Sequence, residues 1–433
     1  MRNKFIPMKQ KITSLKGTRD FYPEDIRARR AMFDPLCQTA ESFGYEAYDA
    51  PVLEPFALYA AKSSPEIIER QSYVFEDHGG ERVVVRPEMT PSLARMIANR
   101  QRELPPLLRW YCIADCWRYE RPQKGRLRNF SQLNVDLIGS DTIEADVEVI
   151  DLALSMIQKL GIDLSCIEVR INDRRLLEQW FTEAGIDSDH KTRALSLLDE
   201  KDKLEPDIFR NRLIEVSSEQ GADTLIDKLT LSATALRTDT SAERLCQTEA
   251  LLGDLGWRKN IRIDPTVIRG FTYYTGIVFE VYETSGQFRR AIFGGGRYDQ
   301  LVEALGGLPV SGVGFGVSDV SLEELLQAQS LNADKNVLNV IALIPFSQGE
   351  VPLQAKLAAE LRKEGINVRM SLPPYGFSPQ LKLAQKSGIA VALLITSHEW
   401  SSGSVLMRDL RSGEQERISI VDIGNICCER LGK

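Results

Sequence analysis

At 433 residues the chain is long enough for two or three domains, and its 43% hydrophobic and 27% charged content is that of a soluble globular protein, not a disordered or fibrous one. Its 54 basic against 61 acidic side chains leave a net charge of -7, which does not advertise a nucleic-acid binder, although a local basic surface stays compatible with it. No apolar run reaches the ~18 residues of a membrane span, the basic N-terminus lacks the apolar core of a secretory signal, and seven scattered Cys with three His show no zinc-finger spacing, so a cytoplasmic protein with reduced thiols is expected.

From residue 16 the chain reads as loop, helix and strand. Pro23 and Glu24 open a helix with apolar spacing through Met32, Phe33, Leu36 and Ala40, and Gly44 ends it. Residues 45–52 read as a strand. Asp77-His78-Gly79-Gly80 is expected to turn a hairpin between strands 72–76 and 82–86. A helix follows over 91–102, then strands over 108–119 and 130–139 joined by a basic loop. Residues 143–160 form an amphipathic helix with Ile143, Val147, Ile150 and Leu154 on one face. Residues 185–255 are polar and helical without a strong strand signal, the mark of an insertion. Strands resume at 266–282, 289–293 and 311–317, which makes the first segment an α+β pattern of antiparallel strands with flanking helices.

A linker is expected at 327–336. Beyond it, strands (337–344, 367–371, 390–395) alternate with helices (349–364, 378–387) and end in an edge hairpin (405–409, 416–419). This argues for a small α/β domain with a mostly parallel sheet. The expected division is therefore 1–326, a linker, and 337–433. Residues 336–433 carry 11 Lys+Arg against 9 Asp+Glu, a mild positive shift that suits a nucleic-acid contact.

Four elements carry chemistry. Residues 118–128 hold five cations and one carboxylate, with Pro122 and Gly125 marking a turn, and Phe130 follows. Guanidinium forks on such a hairpin match phosphate oxygens, and Phe130 offers a face for a base; a solvated charged hairpin has the same composition. Glu88 and Thr90, in Arg86-Pro87-Glu88-Met89-Thr90, pair a carboxylate with a hydroxyl, which suits an ammonium or simply a helix N-terminus. In Arg269-Gly270-Phe271-Thr272-Tyr273-Tyr274-Thr275-Gly276, one fixed cation stands beside two phenols, as an anion site or as a half-buried strand. Gly294-Gly295-Gly296-Arg297-Tyr298-Asp299 reads as a turn whose three glycines let the backbone approach a ligand or another strand. It is not a dinucleotide fingerprint.

In this order and spacing, these elements resemble histidyl-tRNA synthetase, a class II aminoacyl-tRNA synthetase family. Lys16-Gly17-Thr18-Arg19-Asp20 with Pro23 resembles its N-terminal signature, residues 45–55 its dimer-forming motif 1, and 118–132 its motif 2. Residues 269–276 and 294–299 resemble its two histidine-specific motifs. Gln380-Leu381-Lys382, Ala384 and 409–415 resemble its anticodon-binding domain. The fold implied is an antiparallel-sheet class II catalytic core with a helical insertion plus a C-terminal α/β anticodon-binding domain.

The resemblance implies a homodimeric histidine–tRNA ligase acting on L-histidine, ATP and histidine tRNA. Mg²⁺ would bridge the phosphates, with no dedicated protein metal site. ATP would be held by Arg118 on the α-phosphate, Arg126 on the outer phosphates, Glu120, and Phe130 beneath adenine. Histidine would be held by Glu88, Thr90 and Gln132 at its α-amino group, by Asp136, Tyr273 and Tyr274 at its imidazole, and by Arg118 and Arg269. Arg269 and Arg118 would be catalytic, flanking the α-phosphate under attack. The chain departs from the family at four places: Thr272 stands for Asp, Ser131 for His, Asp136 for Glu, and Asp319 for the motif 3 Arg. The relatives weighed against an active ligase are a histidine-binding regulatory subunit of the ATP phosphoribosyltransferase type, and a degenerate paralogue that senses histidine or uncharged tRNA.

Overall fold

The computed structural model describes residues 12–60, 70–123, 125–201, 204–231, 233–237, 239–269, 273–288, 290–331, 338–372 and 376–431. Residues 270–272, and with them Thr272, lie outside these, as do Lys124 and 332–336 of the expected linker. The chain divides into two compact units, Met1–Tyr22 with Arg29–Ala333, and Pro23–Ala28 with Asp334–Lys433. Among the described residues, no helix is long and apolar enough to cross a membrane.

The larger unit carries strands β1 (Glu46–Ala47), β2 (Leu53–Pro55), β3 (Tyr73–Glu76), β4 (Arg82–Val85), β5 (Leu108–Trp117), β6 (Asn129–Ile138), β7 (Ile167–Asp173), β8 (Ile261–Ile263), β9 (Ile277–Glu283), β10 (Phe293–Arg297) and β11 (Gly312–Ser318). Eight of them form one sheet in the order β1-β5-β6-β11-β10-β9-β7-β8, and β2-β4-β3 form a small second sheet. Every pairing from β5 through β7 is antiparallel, with parallel partners only at the two edges. The expected hairpin at 72–86 is β3–β4, where the Asp77 side chain accepts from the N–H groups of Gly79 and Glu81.

Alternation along β6 separates the two faces of the large sheet. Leu133, Val135 and Leu137 join one apolar cluster with the helices Ile143–Lys159 and Pro23–Ser42. Met32, Phe33, Leu36 and Ala40 are buried there, as their spacing predicts. Removal from water of each such Leu or Val contributes about 1.5–3 kcal/mol, which is why these positions are apolar. Phe130, Gln132, Asn134 and Asp136 point to the other face, where they line a cavity.

The strand expected over 266–282 begins only at Ile277, and the described residues 266–269 and 273–276 join no strand. Pro265 has no N–H for a ladder, and the buried Asn172 amide donates instead to the carbonyls of Pro265 and Val267, both at 3.0 Å. Arg269 then takes φ 60°, which takes its side chain out of strand alternation. Residues 294–296, expected as a turn, lie inside the buried strand β10 between β9 and β11. Glycine disfavours a strand on its own, but here side chains of neighbouring strands need the space.

The smaller unit is a five-stranded sheet of β12 (Leu338–Pro345), β13 (Val368–Met370), β14 (Ile389–Ile395), β15 (Ser404–Asp409) and β16 (Gln415–Ser419), ordered β13-β12-β14-β15-β16. Helix Val351–Lys363 packs on one face with Ile341 and Leu343, and helix Phe377–Lys386 on the other with Ala342 and Ile344. The sheet is half parallel, not mostly so: β13-β12-β14 are parallel and β14-β15-β16 antiparallel. A parallel crossover needs a helix of some length, and after β14 only the five-residue helix Ser397–Ser401 intervenes.

Candidate active site

The floor of the cavity is built from small residues. Across the sheet, Asp136 of β6 stands opposite Gly314, which stands opposite Gly296; one row along, Asn134 faces Gly316, which faces Gly294, then Glu280. A Cβ at Gly314 would overlap Asp136 Oδ1, and one at Gly316 would overlap the Gln132 amide. Gly314 and Gly316 therefore leave room for the polar side chains of β6 to lie flat over β11, while Gly294 leaves room for Arg269 and Gly296 for Tyr274. Cys112, Ala114 and Cys116 of β5 form a buried cluster with Met89 against Phe130, and burial pushes both thiols up to about 12, leaving them inert.

The cavity has a volume of about 410 Å³, and every residue assigned to the site from the sequence lines it: Glu88, Thr90, Arg118, Glu120, Arg126, Phe130, Gln132, Asp136, Arg269, Tyr273 and Tyr274. They fall into two groups. At one end are acids and phenols. Asp136 is 2% exposed; its Oδ1 accepts from the Tyr298 hydroxyl, and its Oδ2 has no partner among the described residues. Burial pushes this carboxyl up to about 7, with the Tyr298 bond pulling the other way. Glu88 is 4% exposed and accepts from the Tyr273 hydroxyl at 3.1 Å, while its carbonyl accepts from Tyr59 at 2.8 Å. The Tyr273 and Tyr274 rings lie 4.9 Å apart, and Tyr298 meets Tyr273 edge-on at 6.1 Å. Two buried acceptors among phenols suit a small ligand bearing several N–H groups.

Arginines line the other end, and Arg269 joins the two groups through a side-chain hydrogen bond with Tyr274. Arg118 leaves β5 and is pinned by Nε donating to the Pro87 carbonyl at 3.0 Å, with its guanidinium 5.3 Å from the Phe130 ring centroid. Arg126 closes the hairpin through reciprocal backbone bonds with Gln123 of 3.1 and 2.9 Å, and its Nη1 lies 3.4 Å from Glu120 Oε2. Arg128 N–H, further along, donates to the Gly17 carbonyl at 2.8 Å, so the Lys16–Asp20 signature braces the hairpin. Arg269 places Nη1 at 3.1 Å from Glu280 Oε1 and Nη2 at 3.3 Å from the Gly294 carbonyl, directly over the glycine row. Arginines facing one space, with an aromatic face beside them, suit a polyphosphate attached to a base.

Among the lining residues that were given no role are Asn134, Tyr298 and Arg290. Asn134 was signalled by its period-2 placement between Gln132 and Asp136. Tyr298 lies in the quoted glycine run but was given no role. Arg290, just ahead of β10, carried no local signal.

Asp319 does not face the cavity. It is 2% exposed, its Oδ2 lies 2.6 Å from Arg19 Nη2, and its Oδ1 accepts from the Ser131 N–H at 3.1 Å. It thus ties the N-terminal signature to the backbone between Phe130 and Gln132. Ser131, on the helix-facing side of β6, also donates its hydroxyl to Asp115 and accepts from Arg29. Asp319→Ala is expected to cost about 2 kcal/mol of unfolding free energy, because a buried charge-assisted network loses its acceptor. Urea denaturation measures it, and a change under 0.5 kcal/mol (roughly the surface-substitution range) would contradict this placement.

Comparison with known proteins adds a family. The family described as Histidyl-tRNA synthetase matches residues 17–322, and that described as Anticodon binding domain matches 341–430. The histidine–tRNA ligase of Leptospira biflexa is 36% identical, with 98% of this chain and 99% of the relative aligned. That of Haloarcula marismortui is 34% identical over 94% of this chain and 95% of its own length. In structure, the chain resembles a histidyl-tRNA synthetase from Nostoc sp. PCC 7120 with a TM-score of 0.82 at 22% identity, covering 98% of this chain and all of the other, which is a likeness of fold.

Proposed function

The chain belongs to the histidyl-tRNA synthetase family, and from that premise we propose that its cavity activates L-histidine with ATP and passes it to the 3′ end of histidine tRNA. The activity is that of a class II histidine–tRNA ligase. The observation that carries the site reading is one cavity lined both by buried acids and phenols and by arginines, with Arg269 hydrogen-bonded to Tyr274 between them.

In this reading, Glu88, Thr90 and Gln132 receive the α-ammonium, and Asp136 takes an imidazole N–H on its unpartnered oxygen, with Tyr274 and Tyr273 beside it. The histidine carboxylate then faces Arg118 and Arg269. ATP lies along the arginine end, with Phe130 under adenine, Arg118 on the α-phosphate, Arg126 on the outer phosphates, and Glu120 on the nucleotide or tRNA end. A carboxylate oxygen bonds to the α-phosphorus, the bond to the β-phosphate oxygen breaks, and pyrophosphate leaves with the electron pair. Two anions must approach each other, and cations on both sides of the α-phosphate offset that repulsion as charge builds. A ribose hydroxyl of the tRNA end then attacks the acyl carbon, and AMP leaves. No nucleophilic side chain is needed, and reading imidazole by hydrogen bonds rejects analogues that lack them.

Mg²⁺ would enter this reading with ATP as its counter-ion and would neutralise phosphate charge. The donor chemistry suits that arrangement, since arginines wall the phosphate end and Glu120 stands beside Arg126. A homodimer formed through residues 45–55, and a cytoplasmic location, complete the proposal. The regulatory-subunit alternative is not favoured, because the arginines are retained and residues 341–430 match an anticodon-binding domain.

Aminoacylation tests the reading as a whole. The full-length protein is expected to attach histidine to a histidine tRNA transcript and not to a phenylalanine tRNA transcript. Absence of charging with active tRNA would sink it.

A further inference from the structure

We propose that Arg290 is a second ligand for the outer phosphates, forming with Arg126 a two-guanidinium clamp on the part of ATP that leaves as pyrophosphate. The proposal rests on the ligase reading above and deepens it.

Arg290 lines the same cavity as Arg118, Arg126 and Phe130. It is carried on rigid scaffold, because two residues later Ile292 N–H joins the ladder to the Val281 carbonyl at 2.8 Å and β10 begins. Its guanidinium occupies the space above Gly125, at the tip of the basic hairpin. A Cβ on Gly125 would overlap Arg290 Nη2 and lie 2.9 Å from its Cζ and 2.8 Å from Glu324 Oε2. Gly125 also has φ +70°, so the hairpin turns tightly under the arginine, with Arg126 as the next residue. Two cations are thereby brought to one corner.

The electrostatics of that corner point to a polyanion. Burial and the charge of Arg126 both disfavour the Arg290 cation, while Glu324 and Glu120 offset part of this. Cations gathered at mutual cost are worth most to a ligand with several negative charges, and an outer phosphate pair supplies them. A lone carboxylate would need only one guanidinium. Of the described lining residues that follow β11, Ser318, Val320 and Ser321 carry no charge, and Asp319 is committed to Arg19 and Ser131. Release of pyrophosphate would return Arg126 to Glu120 and Arg290 to the neighbourhood of Glu324.

The test uses the full-length chain and the variants R290A and R290K. In histidine-dependent exchange of pyrophosphate into ATP, R290A is expected to raise the KM for ATP at least tenfold, with the KM for histidine within twofold. R290K keeps the charge but not the fork, and a rise of about threefold is expected. Calorimetric titration gives a second readout: R290A should weaken ATP binding at least tenfold and leave AMP, which has no outer phosphates, within twofold. If R290A does not fold by thermal melting, R290K carries the same ATP-against-AMP comparison. An unchanged ATP KM and ATP affinity, or equal losses for ATP and AMP, would overturn the clamp. Those results are distinct from failure of the ligase reading, in which the wild-type chain itself would show no exchange.

Discussion

Arg269→Ala is expected to slow histidine-dependent exchange of pyrophosphate into ATP by about 100-fold, with the KM for histidine held within a few-fold. The guanidinium is held by Glu280 at 3.1 Å and by the Gly294 carbonyl at 3.3 Å, so its position is set before any ligand arrives. Gly294 makes this possible: a Cβ there would sit 3.2 Å from Arg269 Nη1 and closer still to the β9 backbone. A preorganised cation spends nothing on reorientation as charge develops on the α-phosphate, which is why its removal should appear in the rate and not in ground-state affinity. Glu280 is not stranded by the change, because the Tyr282 hydroxyl still donates to it. Arg269→Lys should recover part of the rate, since charge survives without the fork. A large rise in the KM for histidine with an unchanged rate would reassign Arg269 to substrate binding.

Asp136→Asn is expected to raise the KM for histidine by roughly 30–100-fold while making the protein more stable at alkaline pH. The first effect follows from geometry: one carboxylate oxygen is occupied by Tyr298, and the other is buried without a partner among the described residues, on a side chain that lines the cavity. The second follows from burial, which raises the carboxyl from its ordinary 3.8 to about 7. Between those two values the folded protein holds a proton that the unfolded chain has lost. Its stabilising contribution is therefore complete below about pH 4 and is lost as pH climbs through about 7. Each unit of that interval is worth roughly 1.4 kcal/mol, so the wild-type loss reaches a few kcal/mol by pH 8. The amide that replaces the carboxyl in the variant titrates nowhere in this range. Thermal melting at pH 5 and pH 8 should show the variant gaining on the wild type at the higher pH. A gap independent of pH would mean that Asp136 ionises at its ordinary value, and an unchanged histidine KM would remove it from the ligand. The opposed signs are the mark of a functional group held at the expense of stability.

Much of this site was legible in the sequence for a physical reason. Glu88 and Thr90, the hairpin from Arg118 to Phe130, and the Tyr273-Tyr274 pair are runs in which neighbouring residues act on one space. Gln132 and Asp136 came from the resemblance alone, and strand alternation accounts for their sharing one face. The contacts that stayed hidden join distant positions. Tyr298 reaches Asp136 across 162 residues, and Arg19 reaches Asp319 across 300. Glycines 294–296 looked like a turn because a missing side chain has a meaning in a strand only once Asp136, Gln132 and Arg269 are seen lying over the rows they belong to. Arg290 follows a polar, exposed stretch and became informative only through its closeness to Gly125. In the smaller unit, the alternation of helices and strands was plain, while the antiparallel half of the sheet depended on how little chain separates β14 from β15.

The central claim is that one cavity brings histidine and ATP together, and histidine-dependent exchange of labelled pyrophosphate into ATP by the full-length protein with Mg²⁺ tests it most directly. Exchange with histidine, and background levels with each of the other standard amino acids, is the predicted result. No exchange with histidine, or exchange as fast with another amino acid, would contradict it.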